Sequence, residues 1–193
     1  MSDPFASASD LAEYINVGLP DDLSRMQALL RAASAVIRGY TGQVLSPVVN
    51  EQITVQPMYS LTTGQMLPLP RAYGELIFLP QRPVTAISGI TISGVAFTSF
   101  SFTSAGILYR TDGNAWTNAA VVTYSHGWAE TTDEYQTIKN ICIEAAARAY
   151  TMNERSASEV LGSTVLESAG YSPEVFLTEG EKMQLQFGRA YIG

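Results

Sequence analysis

The chain has 193 residues, of which 46% are hydrophobic and 15% charged, a composition that can bury a core and excludes a wholly disordered chain. Its formal net charge of -7 at pH 7 disfavours proteins that grip DNA or RNA through phosphate, because an acidic surface repels phosphate. One cysteine cannot form an internal disulfide, and no apolar run approaches the ~20 residues that span a bilayer, so we expect a soluble protein made in a reducing cytoplasm.

A strong amphipathic helix is predicted from about Asp21 to Tyr40, and Gly42 is placed to end it. A short helix precedes it, with Ser7 and Asp10 at the spacing of a capping box. Apolar residues of the longer helix recur at steps of three and four, which predicts one apolar stripe. The stripe consists of Leu23, Met26, Leu30, Ala33, Ile37 and Tyr40.

Residues 45–128 predict strands, because six prolines in this region exclude long helices. The candidate strands are ELIFL, TAISGITIS, VAFTSFSF, GILYR and AAVVTYSHGW. Ser93 and Gly94 are the candidate hairpin turn between the second and the third of these. We expect them to form a small antiparallel sheet.

A second long helix is predicted to run to about Asn153, beginning at a capping box of Thr131 and Glu134. Small residues in EAAARA allow another helix to approach closely, and residues 21–40 are the obvious partner. The predicted seam joins two sets of side chains. They are Met26, Leu30, Ala33 and Ile37 on the first helix, and Ile138, Cys142, Ala145 and Ala149 on the second.

The predicted fold is α+β, with a helical bundle core, an inserted small antiparallel β-sheet lobe and a C-terminal helical tail. Four segments follow along the chain. Residues 1–44 form the N-terminal core helices, 45–128 the β lobe, 129–155 the long core helix, and 156–193 the tail. The tail is rich in Gly and Ser, and Thr178 and Glu181 form another candidate capping box.

The sequence shows no familiar catalytic signature, and we predict no enzyme, no cofactor and no metal site. His126, the single histidine, invites a catalytic or metal interpretation. A metal site would have to take its other ligands from carboxylates. A general base would need a nucleophile, and the sequence offers no candidate for one. We therefore interpret His126, Gly127 and Trp128 as a structural turn. Cys142 lies on the apolar stripe, which predicts a buried and inert thiol.

The order of these elements resembles the head-to-tail connector proteins of tailed bacteriophages, also called adaptors or head-completion proteins. The resemblance covers about Phe5 to Tyr150. It rests on the helices SDLAEYI and LLRAASAVIRGYTG, the entry LPQRPVTAISGITISG, the strand GILYR, the exit VVTYSHGW and the helix IKNICIEAAARAY. The most specific parts are LPQRPV and the pattern V-x-Y-x-H-G-W. In such proteins His126, Gly127 and Trp128 would form the turn between β lobe and helix.

The resemblance implies a structural virion protein and no catalysis. Similar proteins form a ring, typically of twelve subunits, below the portal protein of a DNA-filled head. The ring extends the DNA channel and carries the next neck, stopper or tail-completion protein. Genomic DNA would pass through the lumen without specific binding, which an acidic chain favours. The protein would be synthesised in the host cytoplasm and reside at the head-tail junction of the virion, with no membrane partner.

The C-terminal segment is the predicted portal interface. On a helix starting near Thr178, apolar residues would lie on two faces, since Leu185 points about 200° from Met183. A second apolar face favours a second buried surface. The predicted contact residues are Phe176, Met183, Leu185, Phe187 and Tyr191. The alternative is a helix that folds back on the two long helices.

Two other functions stay open at this point. The first alternative is an α+β binding module of another kind. The second, which fits the residues less well, is a small hydrolase that uses His126 with an acid from the β lobe. Ring assembly separates a connector from the first alternative. Replacing His126 with Ala and measuring activity tests the second.

Overall fold

The structure is a computed structural model that describes residues 3–17, 23–57, 76–160 and 175–188, without the side chains of 153–160. Four α-helices, seven strands and one 3-10 turn lie in these ranges, which confirms the predicted α+β class. The helices are α1 (Ala8–Tyr14), α2 (Leu23–Thr41), α3 (Asp133–Val160) and α4 (Glu179–Gln184), followed by the 3-10 turn Leu185–Gly188. The strands are β1 (Val48–Val55), β2 (Leu76–Phe78), β3 (Val84–Ile92), β4 (Val95–Ala96), β5 (Phe100–Phe102), β6 (Ile107–Arg110) and β7 (Ala120–His126).

The chain divides into two compact units. The helical unit is formed by Met1–Gly42 and Thr131–Arg189, and the β unit by Gln43–Glu130. The β unit is therefore inserted in the chain between α2 and α3, two helices that pack on each other. No helix in the described ranges is long and apolar enough to cross a membrane.

The core of the helical unit is the seam between α2 and α3. All eight side chains predicted for this seam are buried, four of them on each helix. A polar contact also crosses it, because Ser34 Oγ donates to the carbonyl of Leu30 at 2.8 Å and lies 3.3 Å from Cys142 Sγ. Burial raises the pKa of the Cys142 thiol, as expected for an inert side chain.

The N-terminal segment is held on this seam by polar and aromatic contacts. Ser7 and Asp10 form the predicted capping box of α1, and Asp10 also pairs with Lys139 of α3 at 2.7 Å. The ring of Phe5 meets Tyr135 edge to face at 6.3 Å between centroids. The Phe5 amide donates to Ser34 Oγ at 3.0 Å. These contacts hold the N-terminal segment and α1 against α2 and α3.

The described residues of the β unit form two antiparallel sheets instead of the one small sheet predicted. The first has the order β1-β7-β3-β4 and the second the order β2-β6-β5. Nine buried side chains form its core: Ile77, Leu79, Val84, Ile90, Leu108, Trp116, Ala120, Val122 and Tyr124. Phe100 and Phe102, which share one face of β5, pack against this core.

Several boundaries differ from the sequence prediction. The run VAFTSFSF is divided into β4 and β5, which belong to different sheets. β1 was missed, because a bulge between Val48 and Glu51 breaks the alternation of apolar and polar residues. The N-terminus of α3 is capped by Thr132, whose hydroxyl accepts from the Tyr135 amide at 3.3 Å, and not by Thr131. α3 also continues to Val160, past the predicted end.

Two turns are confirmed. Ser93 and Gly94 join β3 to β4 with φ angles of 51° and 81°, the positive values that a tight two-residue hairpin requires. Gly42 follows α2 with φ 66°, and its amide donates to the carbonyl of Arg38 at 2.8 Å. Asp21, the predicted start of α2, lies outside the described residues.

Candidate functional site

His126 is the last residue of the buried row of β7. Along this strand burial alternates, and Ala120, Val122, Tyr124 and His126 all face the core. β7 is a central strand, so His126 lies opposite Val48 of β1 and Val84 of β3. The imidazole is 1% exposed and continues a row of apolar side chains.

The imidazole of His126 contacts a carboxylate on the neighbouring strand. Nε2 lies 2.8 Å from Oε2 of Glu51, whose side chain is 40% exposed and reaches solvent. The ring of Tyr124 lies beside the imidazole, with centroids 5.1 Å apart. Burial raises the pKa of the Tyr124 hydroxyl, and the negative charge of Glu51 raises it further, so this phenol stays protonated.

A histidine beside a carboxylate has the geometry of a general base and its orienting group. A general base must also come within hydrogen-bond reach of the proton it removes, directly or through one water. An imidazole that is 1% exposed does not offer that access in this conformation. The arrangement instead links β7 to β1, the strand that sequence reasoning missed, so Glu51 was missed with it.

The residues after His126 form a tightly packed turn at the end of β7. Gly127 has φ 92°, and a Cβ placed there would lie 2.2 Å from the carbonyl oxygen of Ser46. Its amide donates to the carbonyl of Pro83 at 3.0 Å. The Trp128 amide donates to the carbonyl of Leu45 at 3.0 Å. Glycine is required at 127 by both the backbone angle and the space.

The C-terminal arm, residues 175–188, packs on the helical unit. Val175, Leu177 and Leu185 are buried, and the 3-10 turn Leu185–Gly188 contacts α2. Tyr40 of α2 donates its hydroxyl to the carbonyl of Lys182 at 3.2 Å. The arm is thus anchored along its described length.

Glu181 is the buried carboxylate that fastens the arm to α3. It completes the predicted capping box with Thr178 and receives two hydrogen bonds from Arg148, at 2.7 and 2.9 Å. Burial alone would raise the pKa of Glu181, but the hydrogen bonds from Arg148 and Thr178 outweigh burial and lower it. Arg148 also donates to the carbonyl of Phe176 at 3.0 Å. No role was predicted for Arg148 from the sequence, because its partner Glu181 lies 33 positions further along the chain.

The predicted portal-contact residues are distributed between buried and exposed positions. Met183, Phe176 and Phe187 are 69%, 45% and 44% exposed. Leu185 is fully buried in its own unit, and Tyr191 lies outside the described residues. The α-helix gives way to a 3-10 turn at Leu185, so the spacing of four residues per face does not continue beyond that point.

A surface cleft of about 350 Å³ lies between the end of α1 and α3. It is lined by Tyr14, Ile15, Glu144, Ala147, Arg148 and Thr151, and we call it the helix cleft. In the described ranges, no three His, Cys, Asp or Glu side chains are grouped so that they could hold a metal ion.

No family model and no curated protein matches the chain. Among solved structures, the fold is similar to that of a chain in a structure described as "Neck of empty GTA particle computed with C6 symmetry". The TM-score is 0.53 and the identity 14%, over 95% of this chain and 88% of that chain. A chain in "Neck of native GTA particle computed with C12 symmetry" matches with TM-score 0.48 and 11% identity, over 95% and 87% of the two chains. At these identities the likeness concerns the fold.

Proposed function

We propose that this chain is a structural neck subunit of a phage-like particle. Copies form a ring below the portal protein, extend the DNA channel and join the head to the neck or tail. The observation that carries the proposal is the match in fold, over 95% of this chain, to a chain from the neck of a GTA particle computed with C6 symmetry. A likeness over nearly the whole of both chains includes the helical unit and the β unit together.

The sequence supports the same proposal independently. The chain resembles head-to-tail connectors in the order of its helices, in the segment LPQRPV leading into β3 and in the pattern V-x-Y-x-H-G-W at the end of β7. This resemblance was found from the sequence alone, without the fold. His126 and Gly127 occupy the end of a central strand and a turn that demands glycine. This placement agrees with a structural role for the most specific part of that pattern.

We propose the C-terminal arm as the portal contact. Phe176, Met183 and Phe187 expose apolar side chains on a segment that Arg148 and Tyr40 hold in place. Exposed apolar side chains on an anchored segment can bind a partner without first ordering the chain. Leu185 would support this surface from beneath, because its side chain is buried in the helical unit.

The proposed ring would carry DNA without gripping it. A formal charge of -7 repels the phosphate backbone, and repulsion lets a duplex slide through a channel. The partners would be the portal protein above, and a neck, stopper or tail-completion protein below. The protein would be made in the host cytoplasm and end in the virion at the head-tail junction.

Native mass spectrometry of the purified chain, with and without a candidate portal ring, tests the proposal. We expect a ring of this chain bound to the portal, with about twelve copies by resemblance. Met183→Glu should weaken portal binding, because a carboxylate replaces a side chain that is 69% exposed. Val95→Glu in the β unit, where Val95 is 70% exposed, is the matched control. A wild-type chain that never joins portal rings would refute the proposed function.

A further inference from the structure

The second sheet of the β unit exposes an apolar face. Cross-strand pairs join Leu76 to Tyr109 and Phe78 to Ile107, while the alternate pair, Ile77 with Leu108, is fully buried. Since neighbouring residues of a strand point to opposite faces, the first two pairs share the outer face. Phe78 is 51% and Tyr109 37% exposed. We call Leu76, Phe78, Ile107 and Tyr109 the sheet patch.

The helical unit exposes a surface of mixed chemistry around the helix cleft, whose lining combines apolar and aromatic side chains with the charged Glu144 and Arg148. Tyr14, at the end of α1, is 58% exposed and lines the cleft. Arg148 lines the cleft as well, and its guanidinium lies 5.4 Å from the ring centroid of Phe176. Met152, one turn further along α3, is 50% exposed. Exposed apolar side chains therefore lie both in the cleft, at Tyr14, and beyond it, at Met152.

These two surfaces suit each other chemically. The sheet patch projects aromatic side chains, and the cleft of about 350 Å³ is within the range of protein pockets, about 300–1,000 Å³. The patch carries no charge, which matters because copies of an acidic chain repel each other elsewhere. The Tyr109 hydroxyl is a donor for the patch, and the Glu144 carboxylate an acceptor in the cleft. A buried aromatic in a pocket is the usual energetic centre of an interface.

We propose that the sheet patch of one copy docks in the helix cleft of the next copy. A ring of more than two identical subunits requires a heterologous contact, in which two different surfaces of the same chain meet. The sheet patch and the helix cleft are two different surfaces of the chain, the first in the β unit and the second in the helical unit. This inference rests on the proposed ring and names the surfaces that close it.

Two variants each remove one half of this contact. Phe78→Glu places a carboxylate in the sheet patch, and Tyr14→Glu places one at the helix cleft. Both positions are more than half exposed, so both variants should fold, which circular dichroism checks. Val95→Glu adds the same charge at an exposed site outside both surfaces. Each variant alone should self-associate at least about 30-fold more weakly than wild type, the effect expected when a hot spot of an interface is lost.

Mixing the two variants gives the sharper test. Phe78→Glu keeps an intact cleft and Tyr14→Glu keeps an intact patch, so one contact can form between them but no chain can continue. Native mass spectrometry at about 100 µM should show a one-to-one heterodimer from the mixture, monomers from each variant alone, and larger oligomers from wild type and Val95→Glu.

The opposite results separate this inference from the proposed function. Variants that still form wild-type rings, a mixture that stays monomeric, or a wild type that never self-associates would each overturn the docking of patch in cleft. Rings that assemble on the portal from both variants would overturn it as well, while leaving the neck function standing. A wild-type chain that forms no ring on any portal would instead remove the proposed function.

Discussion

His126 joins the end of β7 to β1 through its contact with Glu51. Glutamine at this position keeps a donor that can reach the carboxylate, so His126→Gln should change the free energy of unfolding by about 1 kcal/mol or less. Alanine would leave a cavity beside Tyr124 and should cost about 2–4 kcal/mol. Urea denaturation measures both. A glutamine variant that folds and assembles normally but loses all infectivity would contradict the structural role and revive a chemical one.

Gly127 is the position at which any side chain should be most disruptive. Alanine there would meet the carbonyl oxygen of Ser46 and hold a positive φ, so Gly127→Ala should cost about 3 kcal/mol or more. Gly113 provides a matched control, because its φ is +75° but nothing lies within 4 Å of a Cβ. Gly113→Ala should cost only about 1–2 kcal/mol in the same denaturation experiment. Equal losses would show that the close approach of Ser46 is unimportant.

The seam between α2 and α3 is tested by overpacking. Ala145 is 1% exposed, and a leucine there has no space, so Ala145→Leu should lower the free energy of unfolding by about 1–3 kcal/mol. Ala35 lies on the exposed side of α2, and Ala35→Leu should change stability by less than about 0.5 kcal/mol. Thermal melts of the two variants give the comparison. An unchanged melting temperature for Ala145→Leu would place the seam elsewhere.

The attachment of the C-terminal arm should depend on pH through Glu181. Its pKa is lowered in the folded state from an ordinary value of 4.5, so its stabilisation is fully present above pH 4.5 and is lost as pH falls through the lower folded pKa. Glu181→Gln mimics the protonated carboxyl. The stability difference between wild type and this variant should therefore be largest near pH 7 and shrink in acid. A difference that stays constant down to pH 3 would mean that the contact of Glu181 with Arg148 does not hold the arm.

At the scale of the whole molecule, the net charge predicts that the protein binds duplex DNA weakly. With a formal charge of -7, we expect binding to duplex DNA at physiological salt to be weaker than the roughly 10⁻⁴–10⁻⁶ M of proteins with non-specific affinity. Fluorescence anisotropy of a labelled duplex, measured from 50 to about 200 mM salt, gives this value. Tight binding with a steep salt dependence would reveal many phosphate contacts and contradict the proposal that this chain forms a channel through which DNA slides.

Local chemistry in the sequence was enough to predict the helices, the N-terminal caps of α1 and α4, and the pairing of α2 with α3. The apolar stripes recur every three or four residues, and the capping boxes at Ser7 and Thr178 each join residues three positions apart. Each of these signals therefore involves only residues that are close together along the chain. The same holds for the hairpin turn at Ser93 and Gly94, where the backbone angles themselves select the residues.

Only the tertiary structure decided which strands share a sheet and where distant side chains meet. The bulge in β1 hid that strand, and the division of VAFTSFSF between two sheets depends on pairing with β3 and β6. The contacts of Glu51 with His126 and of Glu181 with Arg148 join residues 75 and 33 positions apart. Periodicity in the sequence reports on neighbours along the chain, whereas these contacts depend on how the strands and helices fold together, which no local pattern encodes.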